Sequence, residues 1–319
     1  IDPSTATTFY LYDQARRDWY RPYLDFLGIS GEQLPMLGES GQVLSPLSPQ
    51  GAEDTGLTRD TLAVLGCFDH PGAARGTGIL NIGDLLLSCG TSWVGFYPVD
   101  GRERAVAQRQ LVDPFLSPRG PWGCMFSLAA IGVIIEKHID SFIVREGEEA
   151  ERKFEIFNAI AARVPRGAEG LYVDLYKGRG TFMEEVDSRL AAYPRERLAR
   201  AMMESAVFEM RREIEKMAAA GIGAGGRIVM VGGPSESPIW PKIVAEVLGR
   251  RILLLNGQTA GAMGAAVLAA IGAGLYRDER QAFRAMDGQG TAVLPEKQAV
   301  AEYEDLYQRY LQEVKRDQA

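Results

Sequence analysis

Arg227-Ile228-Val229-Met230-Val231-Gly232-Gly233-Pro234-Ser235-Glu236-Ser237 joins a short apolar run to a glycine-rich break. Residues 228–231 offer no polar side chain and include β-branched residues, which suits a strand buried on both faces. Gly232-Gly233-Pro234 stops it, because glycine and proline punctuate regular structure. A helix is expected from about Ser237 to Leu248, a strand from Arg251 to Leu255, and an Ala/Gly helix from Ala260 to Ile271. Strand alternating with helix implies an α/β layout with helices covering a central sheet. In such sheets ligands bind beyond the carboxyl ends of the strands. The 232–237 loop sits at such an end, where glycine permits close backbone approach and the next helix offers unpaired N–H donors. It reads equally well as a plain connection with Ser235 or Ser237 as helix cap. Neither GxxxxGK[ST] nor GxGxxG occurs in it.

Upstream, Leu85–Ser88 and Trp93–Tyr97 are expected strands around the turn Cys89-Gly90-Thr91-Ser92. A tight turn presents backbone N–H groups, and two hydroxyls flank this one, so it can hold a phosphate or serve as a simple hairpin. Phe126–Ile139, Glu148–Ala162, Glu196–Ala219 and Glu302–Lys315 read as helices, and Gly170–Tyr176 as a strand. Nearer the start, Phe9–Tyr12 is an expected strand and Asp18–Gly28 a short helix. Leu62–Gly66 is expected to be a buried strand. It runs into Cys67-Phe68-Asp69-His70-Pro71-Gly72, where a helix can begin. Asp69 there is a general-base candidate or a cap; His70 is a substrate contact or a loop residue.

Lys and Arg number 35 against 42 Asp and Glu, a net charge of −7 over 319 residues. That balance argues against nucleic acid as a partner, because phosphate neutralisation needs a basic footprint. Three cysteines without CxxC spacing and two histidines argue against a disulfide framework or a zinc site. Reduced thiols with packing roles and a cytoplasmic location are expected. The uncharged stretch Leu253–Tyr276 has the length of a membrane span, but its Gly/Ala content, with Asn256, Gln258 and Thr259, suits a buried helix, so no membrane association is expected.

The order of these turns resembles the FGGY family of carbohydrate kinases. Leu65-Gly66-Cys67-Phe68-Asp69-His70-Pro71-Gly72-Ala73-Ala74 looks like the family's catalytic-aspartate segment, and Gly83–Ser92 its phosphate-contacting strand–turn–strand. Val231–Trp240 is similar to the adenosine motif, and Ala260-Gly261-Ala262-Met263-Gly264-Ala265-Ala266 to the GAA helix. Trp19, Leu24, Leu27-Gly28-Ile29, Leu34-Pro35 and Ser40-Gly41 echo the family's first domain. The likeness departs at Pro234, where many members carry glycine, at 172–179, and at His70, so it names no particular sugar.

The resemblance implies an actin-like, ribonuclease H-like ATPase fold. Residues 1–76 would be the remainder of the first domain and 77–319 the nucleotide-binding second domain. It implies ATP and Mg²⁺ as cofactors, a sugar or polyol as substrate, and a homodimer as an assembly. Asp69 would be the base, and Asp69 and His70 would face the substrate. Gly90 and Thr91 would hold phosphate, Gly232 and Gly233 would admit the nucleoside, and Ser237 would reach adenine or ribose. The family's opening phosphate loop has no counterpart here, so the chain alone is expected to be inactive. The alternative is a non-catalytic nucleotide- or sugar-responsive module, or a decayed kinase.

Overall fold

A computed structural model describes residues 1–145, 147–176, 186–223, 225–255, 259–286 and 290–317. The first part of the chain is a run of small elements: α1 (Pro3–Thr8), β1 (Tyr12–Asp13), β2 (Asp18–Trp19), α2 (Arg21–Leu27), β3 (Val43–Pro46), α3 (Pro49–Thr55), β4 (Leu62–Val64) and α4 (Asp69–Gly76). β1 pairs with β2 and β3 with β4, both antiparallel. Ala6, Trp19 and Leu24 form a small core of their own.

The rest supplies β5 (Leu85–Cys89), β6 (Trp93–Val99), α5 (Glu103–Ala107), β7 (Leu111–Pro114), β8 (Trp122–Leu128), α6 (Ile131–His138), α7 (Lys153–Ala161) and α8 (Arg195–Ala219). It continues with β9 (Ile228–Val231), α9 (Trp240–Leu248), β10 (Ile252–Leu254), α10 (Ala260–Gly272), α11 (Glu279–Ala285), β11 (Thr291–Val293) and α12 (Lys297–Asp317). Seven strands form one mixed sheet in the order β11-β10-β9-β5-β6-β8-β7. β5, β9 and β10 run parallel, while β6, β7, β8 and β11 pair antiparallel with their neighbours.

Strand alternation sends Leu85, Leu87 and Cys89 into one core with α6–α9 and α12. Leu86 faces the other core, with Ala74 of α4, Val94, Phe96, Met125, Val229 and Val231. Helices therefore cover both faces, as the alternation at 227–271 implied. α10 lies across α4 with almost nothing between them. A Cβ at Gly264 would stand 1.9 Å from the Gly72 carbonyl, and one at Gly76 would stand 2.0 Å from the Ala260 carbonyl. The small residues at 72, 76, 260 and 264 repeat every four positions, so each helix presents a smooth stripe to the other.

Several expectations are corrected. Phe126–Ile139 is not one helix: β8 takes residues 122–128 and α6 begins at Ile131. β8 is buried along both faces apart from Ser127, so its apolar run shows no alternation to separate it from a helix. Of Phe9–Tyr12 only Tyr12 is strand, opening β1. Asp2 caps α1 with Pro3 in the first turn, Phe9 closes the helix, and Tyr10 is left-handed at φ 59°. Asp18–Gly28 is not all helix; Asp18–Trp19 is strand, and Gly28 ends α2 with φ 67°. Leu62–Gly66 is not buried: β4 is half-exposed in its two-stranded sheet.

Gly170–Tyr176 is no strand either, although Leu171, Val173 and Leu175 are buried in alternation. Their partner is α8 rather than a ladder, with the Val173 amide donating to Ser205 Oγ at 3.1 Å. The helix expected from Glu148 begins at Lys153 after one 3₁₀ turn. Among the described residues no helix is long and apolar enough to cross a membrane. Asn256 and Gln258 of the uncharged stretch, and Lys177, Gly178 and Arg179 of the departing segment, lie outside the described residues. The cysteines are free thiols, Cys89 and Cys124 buried and Cys67 half-buried.

Candidate active site

β5 and β9 are parallel neighbours, paired from Leu85↔Ile228 to Ser88↔Val231. Their carboxyl ends therefore bring the 89–92 turn and the 232–237 loop side by side. At Gly232 the backbone has φ 97°, and a Cβ would stand 2.2 Å from the Cys89 carbonyl. Gly232 is thus demanded by the protein's own packing. Gly233 is different. It is exposed, its φ is not in the left-handed region, and no atom lies within 4 Å of where its Cβ would be. Gly90 is similar, exposed and with only the Ser92 carbonyl at 4.0 Å. At these two positions the fold itself does not need glycine, so the open space is available to a ligand.

The turn is held from behind. Its Gly90 amide donates to the Ser92 carbonyl at 3.2 Å, and the Thr91 carbonyl accepts from the Gly132 amide at 3.0 Å. Ser92 Oγ accepts from the Ala130 amide at 2.9 Å. A Cβ at Gly132 would stand 2.2 Å from the Gly90 carbonyl, so α6 presses its first turn onto the hairpin. Ala130 enters α6 with φ 55°. Thr91 is left exposed, with its hydroxyl at the tip. The helix expected over 126–139 concealed this support; Gly132, in an otherwise apolar helix start, was the available signal.

On the loop opposite, Ser235 Oγ donates to the Gly232 carbonyl at 2.6 Å. Ser237 Oγ accepts from the amides of Ile239 and Trp240 at 3.2 and 3.4 Å. Ser237 therefore does a cap's work for α9, and its hydroxyl hydrogen remains to donate.

Asp69 is carried by a different element from the two loops. It is the first residue of α4, is exposed, and accepts from the His70 amide at 2.7 Å. The His70 ring packs edge-on against Phe68, centroids 5.6 Å apart. The start of α4 is anchored by residues that reading by motif did not single out. The Phe68 amide donates to Ser4 Oγ at 3.0 Å. Ser4 Oγ in turn donates to Asp2 Oδ2 at 2.6 Å. Asp2 is buried, caps α1, and also accepts from Thr5 Oγ1 and Ser40 Oγ. Asp2-Pro3 has the form of a cap followed by an N1 proline, but the bond from Phe68 to Ser4 spans 64 residues.

Beside this network lies Asp113 of β7, fully buried, with no hydrogen-bond partner on either oxygen among the described residues. Burial first, then the carboxylates of Asp2 and Asp69, push its carboxyl up to about 8. Arg75 of α4 is buried as well; it pairs with Glu279 at 3.4 Å and donates to the Phe115 carbonyl.

An exposed tight turn beside a glycine-lined loop, at the carboxyl ends of two parallel strands, lies where an open α/β sheet can admit a ligand. The model of the FGGY family of carbohydrate kinases, C-terminal domain, matches residues 85–273, which include both loops. The chain belongs to the FGGY family of carbohydrate kinases. It is 28% identical over 317 residues to the xylulose kinase of Bacillus subtilis, covering 96% of this chain and 61% of that protein. To the autoinducer-2 kinase of Klebsiella pneumoniae it is 25% identical over 292 residues, covering 87% and 54%. The crystal structure of xylulose kinase from Rhodospirillum rubrum superposes with a TM-score of 0.78 at 23% identity, covering 97% of this chain and 62% of that one. Plasmodium falciparum glycerol kinase with ADP gives 0.76 at 12% identity, covering 98% and 62%. These superpositions establish the actin-like ATPase fold for this FGGY member. The chain spans about three fifths of the length of the xylulose kinase it matches.

The open positions at Gly90 and Gly233 fit a nucleotide in this FGGY chain. Among the described residues no group of three His, Cys, Asp or Glu side chains is placed to hold a metal ion.

Proposed function

We propose that this chain is the nucleotide-binding, base-bearing part of an ATP-dependent kinase acting on a hydroxyl of a sugar or polyol. The observation that carries the reading is the apposition of the 89–92 turn and the 232–237 loop across β5 and β9. ATP supplies the transferable phosphoryl group. The amide and hydroxyl of Thr91 hold phosphate oxygens, and Gly90, whose own amide is bonded to the Ser92 carbonyl, leaves the space for their approach. Gly233 lets the nucleoside lie against the main chain, Gly232 sets the loop's direction, and the remaining Ser237 proton reaches the base or ribose. Asp69 takes the proton of the attacking hydroxyl, with His70 beside the substrate. Phosphoryl transfer is mostly positioning and charge stabilisation, and α4, packed against α10, fixes the position from which Asp69 acts. Mg²⁺ accompanies the nucleotide in this reading, as it commonly does through the substrate phosphates. Xylulose is the first sugar to test, given the relatives.

The test is calorimetric titration of the chain with Mg-ADP, with Mg-GDP as control, on wild type and Gly233→Val. The open surroundings of Gly233 predict an unchanged fold and an ADP affinity lowered by at least about tenfold, the scale of a displaced ligand contact. Equal ADP affinity in both proteins refutes the nucleoside role of this loop. The alternative, a nucleotide-responsive module without turnover, requires ADP binding with no sugar-dependent ATP consumption.

A further inference from the structure

The chain carries a net charge of −7, yet one short helix runs against that balance. Arg277, Arg280 and Arg284, at and beside α11, line a surface cavity of about 470 Å³ with Asp278, Gln281 and Ala285. Arg280 and Arg284, four residues apart, project from one side of α11, and Arg277 stands two residues before its first residue. Asp278 compensates one of the charges, pairing with Arg277 Nε at 3.2 Å, and it also caps α11 through the Gln281 amide at 2.8 Å. Arg280 is held by neutral partners: it donates to the Leu80 carbonyl at 3.0 Å and to the Asn81 side-chain oxygen. Its charge is therefore fixed in place and uncompensated. Arg284 is exposed and has no hydrogen-bond or ion-pair partner among the described residues.

Two uncompensated guanidiniums and a third shared one thus face a single opening. None of them touches the loops of the kinase site. We propose that this cavity binds a small phosphorylated metabolite, distinct from the nucleotide at the 89–92 turn. Guanidinium forks match pairs of phosphate oxygens and form charge-assisted hydrogen bonds. The volume falls within the range of about 300–1,000 Å³ typical of small-molecule sites. The same helix is tied to α4 through Glu279 and the buried Arg75, so occupancy is placed to bear on the helix that opens with Asp69.

The probe is inorganic pyrophosphate, titrated calorimetrically into the chain with saturating Mg-ADP present and at about 0.15 M salt, where exposed charges are screened. Wild type is compared with the double variant Arg277→Gln/Arg284→Gln. Both side chains are exposed, so the melting temperature should not move. Saturable binding to wild type that weakens at least about tenfold in the variant supports the site, as expected from lost charge-assisted contacts. No saturable binding, or equal affinity in the two proteins, overturns it. Pyrophosphate binding that depends on these arginines in a chain that does not bind ADP leaves this site standing and sinks the kinase reading alone.

Discussion

Asp113→Asn isolates the energetic consequence of burying a lone carboxylate. Asp113 is fully buried on β7 and neither oxygen has a partner among the described residues. Its carboxyl is pushed up to about 8, against about 3.9 in an unfolded chain. The native state therefore holds a proton that the unfolded state releases. With the native value raised, the stabilisation is fully present below about pH 4 and is lost as pH rises towards about 8. Between those limits wild type should lose about 1.4 kcal/mol per pH unit from this group, on the order of 5 kcal/mol in all. Asparagine removes the titration but leaves a buried amide, which costs about 1–3 kcal/mol when unpaired. The variant should thus be the less stable protein near pH 5 and the more stable one near pH 8. Urea unfolding of both proteins at several pH values between about 5 and 8 reads the difference directly. A difference that stays constant across that range refutes the argument, because Asp113 would then be hydrated or paired in the native state.

Two further outcomes follow from the geometry around α4. Gly264→Ala places a Cβ 1.9 Å from the Gly72 carbonyl, a backbone atom that cannot rotate away. Overpacking of this kind costs about 1–3 kcal/mol. Alanine's helix advantage of up to about 1 kcal/mol offsets only part of that, so the urea midpoint should fall, and an unchanged midpoint would show that α4 and α10 separate freely. Asp69→Asn, under the proposed kinase function, should lower sugar-dependent turnover by about 10²–10⁴-fold, the usual worth of a general base. ADP affinity should stay within about twofold, because Asp69 does not contact the nucleotide loops; full turnover in the variant would remove Asp69 from the mechanism.

What the residues alone determined is local or periodic. Ile228–Val231 reads as a buried strand, and the Gly232-Gly233 pair after it and Gly90 after Cys89 marked where the backbone turns. Alternation of strand and helix through 227–271 dictated a sheet covered on both faces. The long α8 was legible from its period, and the family from four short motifs in order. Other features became visible only in three dimensions, and each has a physical reason. β8 was hidden because a strand buried on both faces has no polar side to mark its period. Residues 170–176 alternate without being a strand, because their buried side chains meet a helix and leave the backbone without a ladder. The two glycines of the 232–233 pair look alike in sequence. Only the neighbouring β5 carbonyl shows that Gly232 is demanded by packing while Gly233 faces open space. The anchoring of Phe68 by Ser4 and Asp2 and the isolation of Asp113 join residues far apart in the chain. No local pattern encodes such contacts, because they exist only once α1, α4 and β7 are packed together.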